Sequence, residues 1–224
     1  MTPRRTATFV LIHGAGDSPF YWHLVQPRLV ERGHDVVAPS LPCEDERAGL
    51  SDYADAVVAA VGDRSRLVLV AQSAGAFTAP LVCSRLTVDL LVLVAGLVPL
   101  PNETGDEWWE RTGHPGLAPE AAGGDTSALF YHDVPPEIAA EAMRRGRRQA
   151  ARPGEEPWPL PAWPDVPTRY LLCRGDRLLP AEWLRGVVRE RLGIEPDEID
   201  AGHCVALSKP DELADRLDRY WSAL

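Results

Sequence analysis

Short runs of valine, isoleucine and leucine alternate along the chain with longer segments whose apolar residues recur with helical spacing. The runs predict six β-strands, at 6–12, 35–38, 66–70, 90–94, 168–173 and, more weakly, 198–199. The helical segments lie at 22–32, 51–61, 74–85, 181–192 and 209–221. This alternation is typical of βαβ units, and strands of nearly continuous apolar character are covered on both faces. The predicted fold class is therefore α/β, with about six mostly parallel strands between two layers of helices.

The alternation fails between residues 99 and 165. This stretch contains clustered proline and glycine, a pair of tryptophans at Trp108 and Trp109, and one helical pattern at 136–149. Six prolines in 153–167 then predict extended chain. Two more tryptophans, Trp158 and Trp163, favour a packed segment over a disordered one. We therefore predict a core of residues 1–98 and 166–224, with a cap at 99–165 over the carboxyl edge of the sheet, where ligands bind.

Composition narrows the function classes. The net charge of −10 argues against a surface for nucleic acid or an anionic membrane, because both favour a basic face. No apolar window reaches the length of a membrane span or has the form of a signal peptide. The four cysteines have neither CxxC nor metal-ligand spacing and are interpreted as free thiols. We expect a cytoplasmic protein that uses no metal, while the oligomeric state leaves no trace in the sequence.

The strongest chemical signal is Ala71-Gln72-Ser73-Ala74-Gly75, which lies between a predicted strand and a predicted helix. A serine on such a tight turn needs small residues two positions away on both sides, because the backbones of strand and helix come close there. Its hydroxyl is then exposed, and the next N–H is available to a developing oxyanion. The alternative is an ordinary serine N-cap. The flanking elements favour a nucleophile elbow.

Three further segments complete a pattern. The first strand ends in His13-Gly14-Ala15-Gly16, whose spacing does not fit a dinucleotide fingerprint. Asp176 follows the strand at 168–173, and His203 follows the last strand. The order serine, aspartate, histidine is that of one triad lineage. The rival acids are Asp165, which precedes its strand, and Asp200, which is too near His203 in sequence. The other histidines are expected to be structural or surface residues: His13, His23, His34, His114 and His132.

These motifs resemble the α/β-hydrolases, and within them the small esterases grouped with plant methylesterases and hydroxynitrile lyases. The opening of that group is matched by His13-Gly14-Ala15 and Phe20-Tyr21-Trp22, and its ending by His203, Ser208 and Pro210. The resemblance covers the whole chain except the cap. It implies a six-stranded sheet, no cofactor, and an oxyanion hole from the backbone N–H groups of Ala15 and Ala74. Ala71 and Gln72 depart from the usual Gly-His.

The resemblance also separates two chemistries. Its lyase members place a threonine after the opening histidine and a lysine after the catalytic one, where this chain has Gly14 and Cys204. We therefore expect hydrolysis of a small ester with an apolar part by Ser73, His203 and Asp176. The candidate pocket residues are Gly14, Gln72, Trp108 and Trp109. Two alternatives stay open: lyase, lactone or thioester chemistry with the same triad, and a non-catalytic protein that binds a small ligand.

Overall fold

A computed structural model describes residues 6–114 and 126–224. Six strands form one sheet in the order β2-β1-β3-β4-β5-β6, and every neighbouring pair is parallel. Their bounds are Thr8–Ile12 for β1, Asp35–Val37 for β2, Leu67–Gln72 for β3, Val88–Val94 for β4, Thr168–Cys173 for β5 and Asp197–Ile199 for β6. The predicted α/β class and parallel sheet are confirmed.

The sheet forms because its central strands bury nearly all their side chains. Every residue of β1 and of β3 is buried, and β-branched or leucine side chains predominate in both. Such strands gain from packing on both faces, where the hydrophobic effect contributes roughly 25 cal/mol per Å² of buried apolar surface. The register pairs Ile12 with Ala71, so β1 and β3 end level with one another.

Ten α-helices and one short 3-10 helix, Pro19–Trp22, belong to the part of the chain that the structure describes. Their bounds are Val25–Glu31 for α1, Leu50–Val61 for α2, Gly75–Cys83 for α3, Gly105–Arg111 for α4, Thr126–Phe130 for α5, Pro136–Arg145 for α6, Arg152–Glu155 for α7, Ala181–Leu192 for α8, Val205–Ser208 for α9 and Pro210–Ser222 for α10. Helix α1 packs on α10, and α2 packs on α3.

The helix predicted at 22–32 is found as the shorter α1, Val25–Glu31, and the 3-10 helix precedes it. Pro27 is the third residue of α1, in the first turn, where a missing N–H removes no intrahelical hydrogen bond. It therefore fixes the start of α1 near residue 25. Pro80 lies inside α3 without dividing it. The helix predicted at 136–149 ends at Arg145, and part of the stretch predicted as extended forms α7.

The segment between β4 and β5 carries α4 to α7 and is attached to the rest of the molecule at both ends. At its start, the Glu103 carboxylate pairs with Arg191 of α8 at 2.5 and 2.8 Å, and both side chains are buried. Near its end, the buried indole of Trp158 donates to the carbonyl of Phe77 at 3.0 Å. The described residues at both ends of the segment are therefore packed against the rest of the molecule. The description of the segment as a separate cap at 99–165 stays a prediction.

Candidate active site

Ser73 lies between β3 and α3 in a backbone conformation that is unusual for a residue with a side chain. Its φ is +51°, in the left-handed region. Three backbone hydrogen bonds hold it there: its N–H donates to Val94 at 3.1 Å, and its carbonyl accepts from Ala76 and Leu97, each at 3.1 Å. Strain of this kind, on the order of 1–3 kcal/mol, persists only where the surroundings fix it, and it clusters at functional sites.

Gly75 explains why the residue two positions after the serine is so small. A Cβ at Gly75 would lie 2.7 Å from the carbonyl oxygen of His13 and 3.1 Å from that of Ile12. The end of β1 therefore touches the start of α3 directly. This contact brings the loop after β1 beside Ser73, as the nucleophile-elbow interpretation requires.

His203 and Asp176 form a buried pair at the carboxyl ends of β6 and β5. Nδ1 of His203 lies 2.7 Å from Oδ2 of Asp176, and both side chains are at most 3% exposed. The other carboxylate oxygen, Oδ1, accepts the backbone N–H groups of Leu178 and Leu179 at 2.8 and 2.9 Å. Because the carboxylate accepts, Nδ1 carries the proton, and Nε2 is left as the acceptor of the neutral ring.

Ser73 and His203 border one cavity of about 740 Å³. The ring of Phe130 meets the imidazole edge to face at 5.4 Å and shields it on one side. Between these two described side chains, Ser73 and His203, the structure has no direct hydrogen bond. Such bonds are often loose before substrate binds and tighten in the reacting complex.

The predicted oxyanion-hole residues also border this cavity. Ala15 follows β1, Ala74 follows Ser73, and neither N–H has an acceptor among the described residues. Gly14, which directly precedes Ala15, is close to Gln72 and Ser73: a Cβ there would be 2.5 Å from Oε1 of Gln72 and 3.1 Å from Cβ of Ser73. Gln72 in turn donates through Nε2 to the carbonyl of His203 at 3.5 Å.

The two tryptophans predicted to line the pocket lie in different surroundings. Trp109 borders the cavity, but Trp108 does not; its indole is fully buried and donates to the carbonyl of Val98 at 2.9 Å. Trp108 also meets Trp109 and Trp183 edge to face, at 4.8 and 5.7 Å. Trp108 is therefore a core residue that packs the segment against α8, and the expectation that it lines the pocket is corrected.

Two residues that border the cavity have shifted pKa values and are not among the catalytic residues predicted from the sequence. Burial lowers the pKa of His13 to about 4; its neutral ring donates from Nδ1 to Gly14 at 2.9 Å and accepts from Leu41 at 3.3 Å, which fixes the loop after β1. Burial raises the pKa of Asp17 to about 6, although one oxygen accepts the N–H of Ser18. Asp17 borders the cavity, and no sequence motif points to it.

Residues 9–216 match the alpha/beta hydrolase family. The chain belongs to this family. Among the described residues, no cluster of histidine, cysteine, aspartate or glutamate could hold a metal ion, and no helix is long and apolar enough to cross a membrane.

Two relatives and one solved structure illustrate the similarity. The esterase PIR7B of Oryza sativa subsp. japonica is 27% identical and is aligned over 93% of each chain. Norfluorocurarine synthase 1 of Strychnos nux-vomica is 23% identical over 92% of this chain and 91% of its own. The crystal structure of polyneuridine aldehyde esterase superposes with a TM-score of 0.81 at 19% identity, covering 96% of this chain and 99% of that one. This last likeness shows the fold.

Proposed function

We propose that this hydrolase cleaves a small carboxylic ester with an apolar part, using Ser73 as nucleophile, His203 as general base and acid, and Asp176 as the group that orients His203. One observation carries the proposal. The buried pair of His203 and Asp176 borders, through its imidazole, the same cavity as a serine held at positive φ. A residue held at positive φ points to a functional site, and a buried carboxylate bonded to Nδ1 is the arrangement by which a triad orients its histidine.

In the first half-reaction, Nε2 of His203 takes the hydroxyl proton as Oγ of Ser73 attacks the ester carbonyl. The carbonyl oxygen becomes an oxyanion, which accepts the N–H groups of Ala15 and Ala74. Asp176 stabilises the imidazolium that has formed. The imidazolium then gives its proton to the leaving alkoxide, so that the alcohol departs and an acyl-serine ester remains.

In the second half-reaction, His203 removes a proton from water, whose oxygen attacks the acyl-serine. The tetrahedral intermediate collapses as the proton returns to Oγ of Ser73, and the carboxylic acid is released. The enzyme is regenerated, and the net reaction is ester plus water to acid plus alcohol. Apart from the ester and water, each step uses groups of this chain, and protons pass between Nε2 of His203 and three oxygen atoms: Oγ of Ser73, the oxygen of the leaving alcohol and the oxygen of water.

The residue that follows the proposed base favours ester hydrolysis over cyanohydrin cleavage. A leaving cyanide gathers negative charge, which a cation beside the base would stabilise. The residue after His203 is Cys204, and burial raises the pKa of its thiol, so the residue stays uncharged. The single lysine, Lys209, is exposed and does not border the cavity. The name of the rice relative, an esterase, agrees with this assignment.

The decisive experiment compares the wild type with Ser73→Ala on p-nitrophenyl esters of graded acyl length. We expect the variant to fold normally and to lose roughly 10⁶-fold in kcat, as in other triads that lose the nucleophile. A fluorophosphonate should label the wild type and not the variant. Retention of a tenth of the wild-type rate by Ser73→Ala would exclude Ser73 as nucleophile.

The norfluorocurarine synthase relative supports a second candidate, in which the same triad serves another reaction than simple ester release. Mandelonitrile separates the lyase version of that candidate from the esterase. We expect ester turnover without cyanide release. Rapid cyanide release that depends on Ser73, without ester turnover, would establish the lyase. A wild type that neither hydrolyses esters nor takes the label would favour a binding protein.

A further inference from the structure

A turn between α5 and α6 touches both loops that carry the proposed acid and base. Nε2 of His132 lies 2.9 Å from the carbonyl oxygen of Gly175, and because a carbonyl only accepts, the ring nitrogen donates. Oδ2 of Asp133 accepts the N–H of Gly202 at 2.6 Å. Gly175 directly precedes Asp176, and Gly202 directly precedes His203. We call the pair His132 and Asp133 the 132–133 clasp.

The clasp fits the catalytic loops closely. A Cβ at Gly202 would lie 2.5 Å from Oδ1 of Asp133 and 2.8 Å from Nε2 of His132, so residue 202 has no room for a side chain. The two loops also bond to each other, since the N–H of Gly175 donates to Ala201 at 2.9 Å. The turn and both loops therefore interlock at the residues immediately before the acid and the base.

Two neighbouring contacts extend the same attachment. Nη1 of Arg177 donates to the carbonyl of Ala128 at 2.8 Å, which joins the loop after β5 to α5. Phe130, at the end of α5, meets the ring of His203 edge to face at 5.4 Å. The α5–α6 region therefore contacts the loop of Asp176 and the imidazole of His203 at several independent points.

We infer that His132 and Asp133 are positioning residues for the catalytic pair, an inference that rests on the proposed function. The 2.7 Å bond between His203 and Asp176 joins side chains on two separate loops, so its length depends on the relative position of these loops. The clasp fixes both loops one residue before the functional side chains. A displacement of about 1 Å at a catalytic group can reduce the rate on the order of 100-fold.

The first test replaces Asp133 with alanine and with asparagine. Asp133→Ala removes the acceptor of the Gly202 N–H, and we expect kcat on a p-nitrophenyl ester to fall roughly 10- to 100-fold with KM changed by less than about threefold. Asp133→Asn keeps an acceptor oxygen of the same shape and should retain more than half of wild-type kcat. Equal losses in the two variants would show that charge matters instead of the hydrogen bond, and would overturn the inference.

Gly202→Ala is a second perturbation, in which neither His132 nor Asp133 is substituted. Its methyl group would push against Asp133 and His132, so it should lower kcat by a similar factor. In the Asp133→Ala background, part of that space is free, and the second substitution should cost much less than it does alone. Multiplicative effects of the two substitutions would mean that they act independently, and would count against the clasp.

Two controls keep the outcomes separate. Active sites are counted with a fluorophosphonate, and kcat is expressed per labelled site, so a smaller folded fraction does not imitate a positioning effect. Asp200 has an exposed carboxylate and lies two residues before Gly202, so the variant Asp200→Ala should keep wild-type kcat. If the wild type itself neither labels nor hydrolyses esters, the proposed function fails. If the wild type is active and Asp133→Ala matches it per site, only the clasp fails.

Discussion

Asp176→Asn is the substitution for which the structure fixes the outcome most closely. The two carboxylate oxygens have different partners: Oδ1 accepts two backbone N–H groups, from Leu178 and Leu179, and Oδ2 bonds to Nδ1 of His203. Asparagine has the same shape but only one acceptor oxygen. The side chain is fully buried, so water cannot replace a lost partner.

The two backbone donors decide which way the amide turns. With its oxygen toward Leu178 and Leu179, asparagine satisfies both N–H groups and presents its NH₂ group to His203. In the opposite orientation, the buried N–H groups of Leu178 and Leu179 face the NH₂ group, which is itself a donor. Each unpaired N–H group then costs about 1–3 kcal/mol. The NH₂ group can only donate, so Nδ1 of His203 must become the acceptor and Nε2 must carry the proton. A protonated Nε2 cannot take the proton of Ser73.

The expected magnitude follows from this change of tautomer. An aspartate-to-asparagine replacement in a Ser-His-Asp triad lowers kcat on the order of 10⁴-fold, or about 5.4 kcal/mol in the activation free energy. We expect that loss for Asp176→Asn on p-nitrophenyl butyrate, with a folded protein of nearly wild-type thermal stability. Asp176→Ala should lose a comparable factor, but for a different reason, since His203 then loses its orienting partner.

The matched control is Asp200→Asn, because Asp200 is a rival acid in sequence and lies on the neighbouring loop. Its carboxylate is 81% exposed and lies 3.7 Å from Arg174, so removal of its charge should leave kcat unchanged. The assignment of the acid would be refuted if Asp176→Asn kept more than a tenth of the wild-type kcat. A large loss in Asp200→Asn would refute it equally.

Three further predictions concern the cavity and the stability of the fold. Gly14→Thr should lower kcat/KM by roughly 10²-fold without producing cyanohydrin cleavage, because its side chain would collide with Gln72 beside the proposed oxyanion hole. Glu103→Ala should lower the free energy of unfolding by about 3–5 kcal/mol in urea, because it leaves the buried guanidinium of Arg191 without its carboxylate partner. Asp17→Asn should raise the free energy of unfolding at pH 7.5 by up to about 3 kcal/mol, and this gain should vanish as the pH falls from 6 toward 4.

The sign of the Asp17 prediction follows from proton binding. Burial raises the pKa of Asp17 to about 6 from 3.8, so between these values the folded state binds a proton that the unfolded state does not. The wild type therefore gains stability as the pH falls through this window, and asparagine does not. A difference between the two proteins that is independent of pH would contradict this assignment. Unchanged kcat/KM in Gly14→Thr, or an unchanged urea midpoint in Glu103→Ala, would contradict the other two predictions.

The sequence predicts the sheet well because buried parallel strands leave little freedom in composition. Strands such as β1 and β3 are buried on both faces and are therefore mostly apolar, and that requirement is visible without any knowledge of tertiary contacts. The small residue at position 75 of the proposed elbow is equally visible, since the contact of Gly75 with His13 excludes larger residues. In these places local sequence and tertiary packing impose the same requirement.

Trp108 and Trp109 show where the sequence is insufficient. Neighbouring residues on a helix point roughly 100° apart, so the two side chains leave α4 in different directions and need not meet the same surface. The sequence does not say which face of α4 meets the cavity, because the two side chains are identical: each is large and apolar, and its indole N–H is its one polar group. The decision depends on the carbonyl of Val98, which accepts the indole N–H of Trp108 in the core.

Sheet order explains why the remaining geometry depends on contacts outside the sheet. The proposed nucleophile, acid and base follow β3, β5 and β6, and neighbouring strands lie about 4.8 Å apart. The strand that leads to His203 is therefore about 14 Å from the strand that leads to Ser73, so the loop of the histidine must lean back across the sheet edge. The parallel arrangement brings all three residues to one edge, as chain order predicts. How far the loop leans depends on the contact of Gly202 with Asp133. These residues are 69 positions apart, and no local sequence pattern encodes their contact.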